Sequence, residues 1–262
     1  WHMLIRSGVL SLLLFFCVGL AIRAYLEQHT TDTHQGTQIL HMELLNDSIP
    51  YTVSSLSQPN PITLKSGQHL IDRIRQRGII RIGIHEDNLP FSFYNTQGKM
   101  VGFDIDLMEH LAEDLQVTIE FIPYESEYLL QQLEDDHFDI AVSGITPNSS
   151  LLASTRILYS TSYLDMHLAL VVPDHQRKRF SDSGSIHALQ NIHVGVRKDS
   201  TFAARIARLF PNFKVIELDA EADFFNDKKI NADVLLSSAE GGSAWTLLNP
   251  GYVVVNPFAN RQ

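Results

Sequence analysis

Residues 138–172 read FDIAVSGITPNSSLLASTRILYSTSYLDMHLALVV, and the reading of this stretch decides the fold. It opens with a short buried-strand pattern, Phe138, Ile140, Ala141 and Val142, and breaks at Ser143-Gly144, where hydroxyl and backbone donors can face a ligand. Thr146 and Arg156 follow, and a second apolar run extends from Leu164 to Val172. A loop with hydroxyls and one arginine at the carboxyl end of a strand is where open α/β sheets hold small ligands.

Outward from this stretch, strand and helix patterns alternate on both sides. Upstream, Leu70, Ile74 and Arg77-Gly78 predict a short helix ended by a glycine, and Ile79 to Ile84 a buried strand. Phe103, Leu107, Met108, Leu111 and Leu115 fall at helical spacing, with Asp104 and Asp106 in the first turn, where the helix dipole favours acids. A strand at Val117 to Ile122 and a helix at Glu125 to Leu133 follow. Downstream come a helix near Ile186 to Gln190, a strand Ile192 to Val196, a helix capped by Ser200-Thr201 and stopped by Pro211, and a strand Lys214 to Leu218. After the acidic stretch Asp219 to Asp223, the strand Asp233 to Leu236, the helix Ser238 to Leu248 and the strand Tyr252 to Val255 complete the series. This alternation predicts right-handed βαβ units, mostly parallel sheets and an α/β chain of two lobes.

Composition narrows the partners. A net charge of -10 argues against nucleic acid, since the basic residues cluster only at Arg177-Lys178-Arg179. The single cysteine, Cys17, excludes an intrachain disulfide. Twelve histidines are dispersed without ligand spacing, so neither a metal nor a cofactor is expected, and no phosphate loop or nucleophile elbow is present.

The run from Ser7 to Ile22 is uncharged and apolar. It is read as a membrane anchor or last transmembrane helix within residues 1–26, rather than a cleaved signal, because Ile22-Arg23-Ala24 is a poor cleavage site. No Lys or Arg follows Arg23 until Lys65, which places the downstream side outside the cytoplasm. Residues 27–66, polar and rich in Thr, Ser, Gln and Pro, are expected to be a linker. The first residue is Trp, which fits a piece of a longer protein.

The segments IDRIRQRGIIRIGI, LPFSFYNTQGKMVGFDIDLMEHLAEDL, FDIAVSGIT, STRILYSTSY and NIHVGVRKDST, in this order, resemble the bacterial extracellular solute-binding proteins of family 3, the periplasmic amino-acid-binding type. LALVVPDH and LLSSAEGGSAWTLLNPGYVVVNP resemble a subgroup in which this domain follows a sodium:dicarboxylate symporter-like membrane domain on the same polypeptide. The resemblance implies a two-lobed periplasmic-binding-protein clamshell (type II) with the ligand between the lobes. Residues 67–163 would form lobe 1, residues 164–173 a hinge strand, residues 174–251 lobe 2, and residues 252–262 a return strand, with the closing part of lobe 1 missing.

It also implies a ligand site. Ser143, Gly144, Thr146 and Arg156 match the residues that grip a ligand carboxylate, for which a planar two-pronged guanidinium is suited. The stretch from Pro147 to Thr155 makes the Thr-to-Arg spacing longer than in the family. Phe91 and Phe93 match stacking positions, Asp87 lies in the same loop, and Arg197, Ser200 and Thr201 match second-lobe contacts at a helix start. The family's acidic partner for an α-amino group falls at Ser238, with Glu240 two residues later. An amino acid is expected if Glu240 turns into the cleft, and an organic acid without an amine if it does not. The expected function is therefore capture, not catalysis: a membrane-tethered periplasmic domain at the inner membrane that passes a small carboxylate-bearing solute to a membrane transporter. The alternatives are a cyclohexadienyl-dehydratase-like enzyme, with Glu240 and Asp87 as its candidate acid and base, and the sensing domain of a signalling protein.

Overall fold

In a computed structural model, residues 6, 15–21, 23–25, 33–46, 49–55, 59–61, 63, 65, 67–147, 149–198, 200, 202–227 and 229–258 are described. Most of the apolar run expected to anchor the chain lies outside them. Among the described residues no helix is long and apolar enough to cross a membrane.

The first sheet contains β1 (Tyr51–Val53), β2 (Ile79–Ile84), β6 (Thr118–Pro123) and β7 (Ile140–Ala141), all parallel, in the order β1-β6-β2-β7. A small antiparallel sheet of β3 (Asp87–Asn88), β4 (Ser92–Tyr94) and β5 (Met100–Val101) projects beside it. Helix α1 (Thr33–Gln38) precedes this lobe, α2 (Leu70–Arg77) enters β2, α3 (Phe103–Leu115) enters β6, and α4 (Leu129–Glu134) precedes β7. Ile80, Ile82 and Ile84 of β2 pack with Ile119 and Phe121 of β6 and Ile105 of α3, all almost fully buried. Helix α2 ends where Gly78 takes a φ of 72°, a left-handed turn that costs glycine nothing.

An ion cluster pins this lobe together. The Asp139 carboxylate, entering β7, accepts from Arg73 Nη2 at 2.8 Å, from Arg77 Nη2 and from the Arg81 backbone N–H at 2.8 Å. Two arginines of α2 thereby fix the edge strand against the sheet.

The chain crosses over through α5 (Ser149–Ala153) and the irregular residues 154–167 into the second sheet, β10-β9-β11-β8-β12. Its strands are β8 (Leu168–Pro173), β9 (His193–Arg197), β10 (Lys214–Leu218), β11 (Val234–Ser238) and β12 (Tyr252–Val255). Strands β10, β9 and β11 are parallel, whereas β8 runs antiparallel to both β11 and β12. The helices are α6 (Arg177–Phe180), α7 (Ser183–His187), α8 (Phe202–Leu209), α9 (Glu221–Asn226) and α10 (Ala239–Leu248). Leu170, Val172, Val194, Val196, Ile206 and Phe180 are wholly buried in its core.

Two expectations need correction. The polar segment before residue 66 is not simply a linker, because Tyr51–Val53 pairs with β6 and extends the first sheet. Ile39 and Leu44 are buried in the first core, Asn95 Nδ2 donates to the Met42 carbonyl at 2.9 Å, and Leu45 N–H donates to Asp106 at 2.8 Å. Gly36 of α1 meets the Leu247 backbone of α10, so this strap touches both halves of the chain. The apolar run expected to be a hinge strand from Leu164 becomes a strand only at Leu168, and its partner β12 lies beside it in the second sheet.

Candidate functional site

A cavity of about 550 Å³ lies between the two sheets. The carboxyl ends of β9, β10 and β11, which are neighbours in one parallel set, all point to it, as open α/β sheets require of a ligand site. Arg197 ends β9, Glu221 begins α9 just after β10, and Ser237 and Ser238 end β11. The opposite wall comes from the first lobe: Asn88, Phe91, Tyr124, Ser143, Gly144 and Thr146. Arg197 Nη1 donates to Asn88 Oδ1 at 3.3 Å, a bond between the two walls. A second cavity of about 560 Å³ adjoins the first under residues 159–166 and shares Phe91, Thr146, Met166 and Phe202 with it.

The loop Ser143-Gly144 is held rigidly. Asp104, fully buried in the first turn of α3, accepts the backbone N–H groups of Ser143 at 2.8 Å and Gly144 at 2.7 Å. Its other oxygen accepts from Tyr163 Oη at 2.9 Å, and burial, reinforced by that carboxylate, holds the phenol above its ordinary pKa. Ser143 Oγ accepts the His85 N–H at 2.8 Å and lies 2.6 Å from Ser92 Oγ, while the Ser143 carbonyl accepts from Asn88 Nδ2 at 2.6 Å. These bonds keep Ser143 at a φ of 103°, which a serine adopts only when its surroundings impose it. Gly144, at a φ of 61°, packs under Phe91 so closely that an added Cβ would sit 2.6 Å from the ring. The amides expected to grip a ligand carboxylate are therefore engaged by Asp104.

Phe91, Ser143, Gly144, Thr146, Arg197 and Ser200 line the cavity. Ser200 Oγ also accepts the Phe202 N–H at 3.1 Å, as an N-cap does, and Thr201 lies outside the described residues. Phe93 is buried in the first core, and Asp87 is exposed on β3 outside the lining. Arg156 is not brought to the cavity. Its Nη2 donates to the Glu134 carbonyl at 2.5 Å, and Ser154 Oγ donates to Glu134 Oε1 at 2.6 Å, so the residues after α5 are tied to the end of α4. Glu240 turns elsewhere too, with Oε1 3.7 Å from His167 Nδ1, while Ser238 caps α10 by accepting the Gly241 N–H at 2.9 Å.

Glu221 is the residue that the sequence reading missed. Desolvation raises its carboxyl pKa, opposed by the nearby Arg197 charge and by hydrogen bonds from the Ser237 hydroxyl and the Trp245 indole, with Asp87 raising it further. The available signal was its place directly after a parallel strand. At the rim, Lys198 Nζ pairs with Asp219 at 2.5 Å, and Glu127 faces it from the first lobe. Among the described residues no group of three or more His, Cys, Asp or Glu is arranged to hold a metal ion.

The profile of the bacterial extracellular solute-binding proteins, family 3, matches residues 80–215, more than half of the chain. The chain belongs to that family. The match takes in both walls of the cavity up to β10. Among characterised relatives, the chain is similar to the cyclohexadienyl dehydratase of Pseudomonas aeruginosa, with 34% identity over 39% of this chain and 37% of that protein. It is also similar to the ABC transporter arginine-binding protein 1 of Escherichia coli K12, with 24% identity over 65% of this chain and 68% of that one. The chain thus spans little more than a third of the dehydratase's length. Among solved structures, an ancestral amino acid-binding protein, a precursor of cyclohexadienyl dehydratase, aligns with a TM-score of 0.63 and 26% identity over 71% of this chain and 81% of that one. The family 3 fold is therefore shared.

Proposed function

We propose that this family 3 domain is an extracytoplasmic binding domain that captures a small carboxylate-bearing solute, an amino acid or organic acid, between its two lobes and delivers it to a membrane transporter. The observation that carries this reading is the cavity between the sheets, with Arg197 of the second lobe bonded to Asn88 of the first. A solute touching both walls favours the closed arrangement over any open one, and capture is then a population shift. Arg197 supplies the cation that Arg156 was expected to supply, since a guanidinium has five donors and can hold a carboxylate in two-pronged fashion. Delivery is assigned to a transporter because an ABC transporter's arginine-binding protein is among the relatives. The apolar run Ser7–Ile22 supports tethering at the inner membrane with this domain in the periplasm, and a symporter-like domain on the same polypeptide is the transporter that the resemblance of LALVVPDH favours.

The test is thermal unfolding of the full 262-residue chain with amino acids, 2-oxo acids and dicarboxylates. A ligand at a hundredfold its Kd stabilises the fold by about 2.7 kcal/mol. A shift with one compound, abolished by Arg197→Met, supports capture, and no shift with any compound overturns it.

A second reading, dehydration of a cyclohexadienyl acid, has one observation in its favour: Glu221 is an acid in the cavity wall whose burial favours the protonated form a proton donor needs. Neither Glu240 nor Asp87 lines the cavity. Release of phenylpyruvate from prephenate, lost in Glu221→Gln, is the result this reading requires.

A further inference from the structure

We propose that the strap of residues 33–46 is a latch across the two lobes: bonded to the first lobe and seated at Gly36 on the end of α10, it keeps the chain closed without a solute, and the cavity opens only when that seat is given up. This concerns the resting state of the molecule and goes beyond the solute-binding reading. Among the described residues, none that lines the cavity belongs to the strap, and the match to family 3 begins only at residue 80.

The strap is fastened to the first lobe along most of its length. Ile39 and Leu44 are buried in the first core. The Leu40 carbonyl accepts the Thr96 N–H at 2.8 Å, and Thr96 Oγ1 lies 2.8 Å from His41 Nδ1. The Met42 carbonyl accepts from Asn95 Nδ2, Leu45 N–H donates to Asp106, and Asn46 Nδ2 donates to Glu113 Oε2 at 3.1 Å. Buried apolar side chains and hydrogen bonds to the β4–β5 turn and to α3 make this segment part of the lobe rather than a trailing end.

Helix α10 belongs to the second lobe. At Gly242 it lies so close to β8 and β12 that an added Cβ would sit 2.8 Å from Val171 Cγ2 and 3.3 Å from Val254 Cγ2, so the helix moves with that sheet. Gly241, near its start, lines the cavity. Leu247 is six residues further on, about 9 Å along the axis at 1.5 Å per residue. There Gly36 of α1 meets it backbone to backbone, and an added Cβ at Gly36 would run into the Leu247 carbonyl oxygen. Between the two ends, Trp245 packs in the first core and stacks on Phe225 of α9 with ring centroids 5.5 Å apart.

The helix is thus a rod with one end in the cavity wall, its middle in the first core and its other end beneath the strap. Opening the cavity separates Arg197 from Asn88 and turns the rod together with the second sheet. A single contact at Trp245 would let the rod pivot about the indole. The second contact, at Gly36, stops that turn, because both points are held by the first lobe. Packed surfaces have discrete arrangements rather than a continuous range, so the latch is seated or released, and the closed state is favoured while it is seated.

The experiment is a distance measurement between the lobes by pulsed electron spin resonance, on the full chain and with no solute added. Spin labels are attached through Asp114→Cys on α3 and Arg208→Cys on α8, both exposed, in a Cys17→Ser background. The chain with Gly36 intact is expected to give one distance. Gly36→Val, which leaves the bonds of Leu40, Met42 and Leu45 in place but cannot seat on α10, is expected to add a second distance and raise its population at least about tenfold. Gly36→Ala carries the same clash in its smallest form and serves where the valine variant does not fold. Two populations in the chain with Gly36 intact overturn the inference before any latch variant is made. A folded Gly36→Val or Gly36→Ala chain with an unchanged distribution overturns it as well. Because no solute enters the measurement, either result leaves the capture reading standing.

Discussion

Asp104 Oδ2 lies 2.8 Å from the backbone nitrogen of Ser143, and that single carboxylate fixes the loop from which the cavity wall is built. The same oxygen holds Gly144, and the other oxygen holds Tyr163 of the crossover segment. Asp104→Ala leaves two amides and a phenol without their acceptor. The expected loss is about 3 kcal/mol or more, at about 1–3 kcal/mol for each unsatisfied buried group, read as a lower midpoint in urea denaturation.

Asp139 gives a second stability prediction. Its side chain is 1% exposed and neutralises Arg73 and Arg77 together. Asp139→Ala removes the carboxylate that the two guanidinium groups share, although Arg73 keeps Asp136 at 3.1 Å, and is expected to cost about 3–5 kcal/mol. Equal unfolding midpoints for the variant and the parent contradict a stabilising role for the cluster.

Glu221 makes stability depend on pH in the opposite direction to a salt-bridged acid. Burial raises its pKa in the folded state, with Asp87 adding to the rise and Arg197, Ser237 and Trp245 opposing it. The folded chain thus holds this proton more tightly than the unfolded chain. The resulting stability is complete below the unfolded pKa of about 4.3 and is lost as pH climbs through the folded value. Glu221→Gln is therefore expected to unfold at a higher temperature than the parent at pH 7 without ligand, and the difference should vanish near pH 4. Calorimetric scans across that range check the sign.

In the proposed reading Arg197 takes the carboxylate role that the sequence suggested for Arg156. Arg156→Ala should leave solute affinity within about twofold, because its guanidinium bonds the end of α4. Arg197→Met should lower affinity by about 10- to 100-fold, the loss of one or two charged hydrogen bonds. Binding titrations of both variants decide between them, and a large loss in Arg156→Ala restores the original assignment.

The strap before β2 gives the last prediction. Removing residues 1–53 uncovers the edge of β6 and deletes Ile39 and Leu44 from the first core. At about 1.5–3 kcal/mol for each buried aliphatic side chain, the truncated chain should be at least about 3 kcal/mol less stable and more prone to aggregate. An unchanged urea midpoint in the truncated chain shows the strap to be dispensable.

These elements also mark what a sequence reveals. Phe103 to Leu115 was legible because thirteen residues carry a sustained helical period, and Ile79 to Ile84 because four isoleucines in six residues follow directly after a glycine. Tyr51–Val53 was not, since three residues between proline and serine become a strand only through pairing with a partner 68 positions away. Arg156 misled because matching residue types says nothing about a helix inserted between them. Glu221 lay unremarked in the acidic stretch Asp219 to Asp223, and only the strand order β10-β9-β11 brings it beside Arg197. The site was half visible: its position at strand ends followed from the pattern, whereas the charges that fill it depend on which strands are neighbours.

The two sheets use separate, consecutive parts of the chain, 51–141 and 168–255. A nascent polypeptide that has emerged as far as Met166 already carries every strand of the first sheet. Trp245 belongs to the first core all the same, packing there from α10. The first lobe must therefore wait through the synthesis of about eighty more residues for this side chain, a delay of several seconds at about 5–20 residues per second. During that interval the first core lacks the cover that the indole gives it.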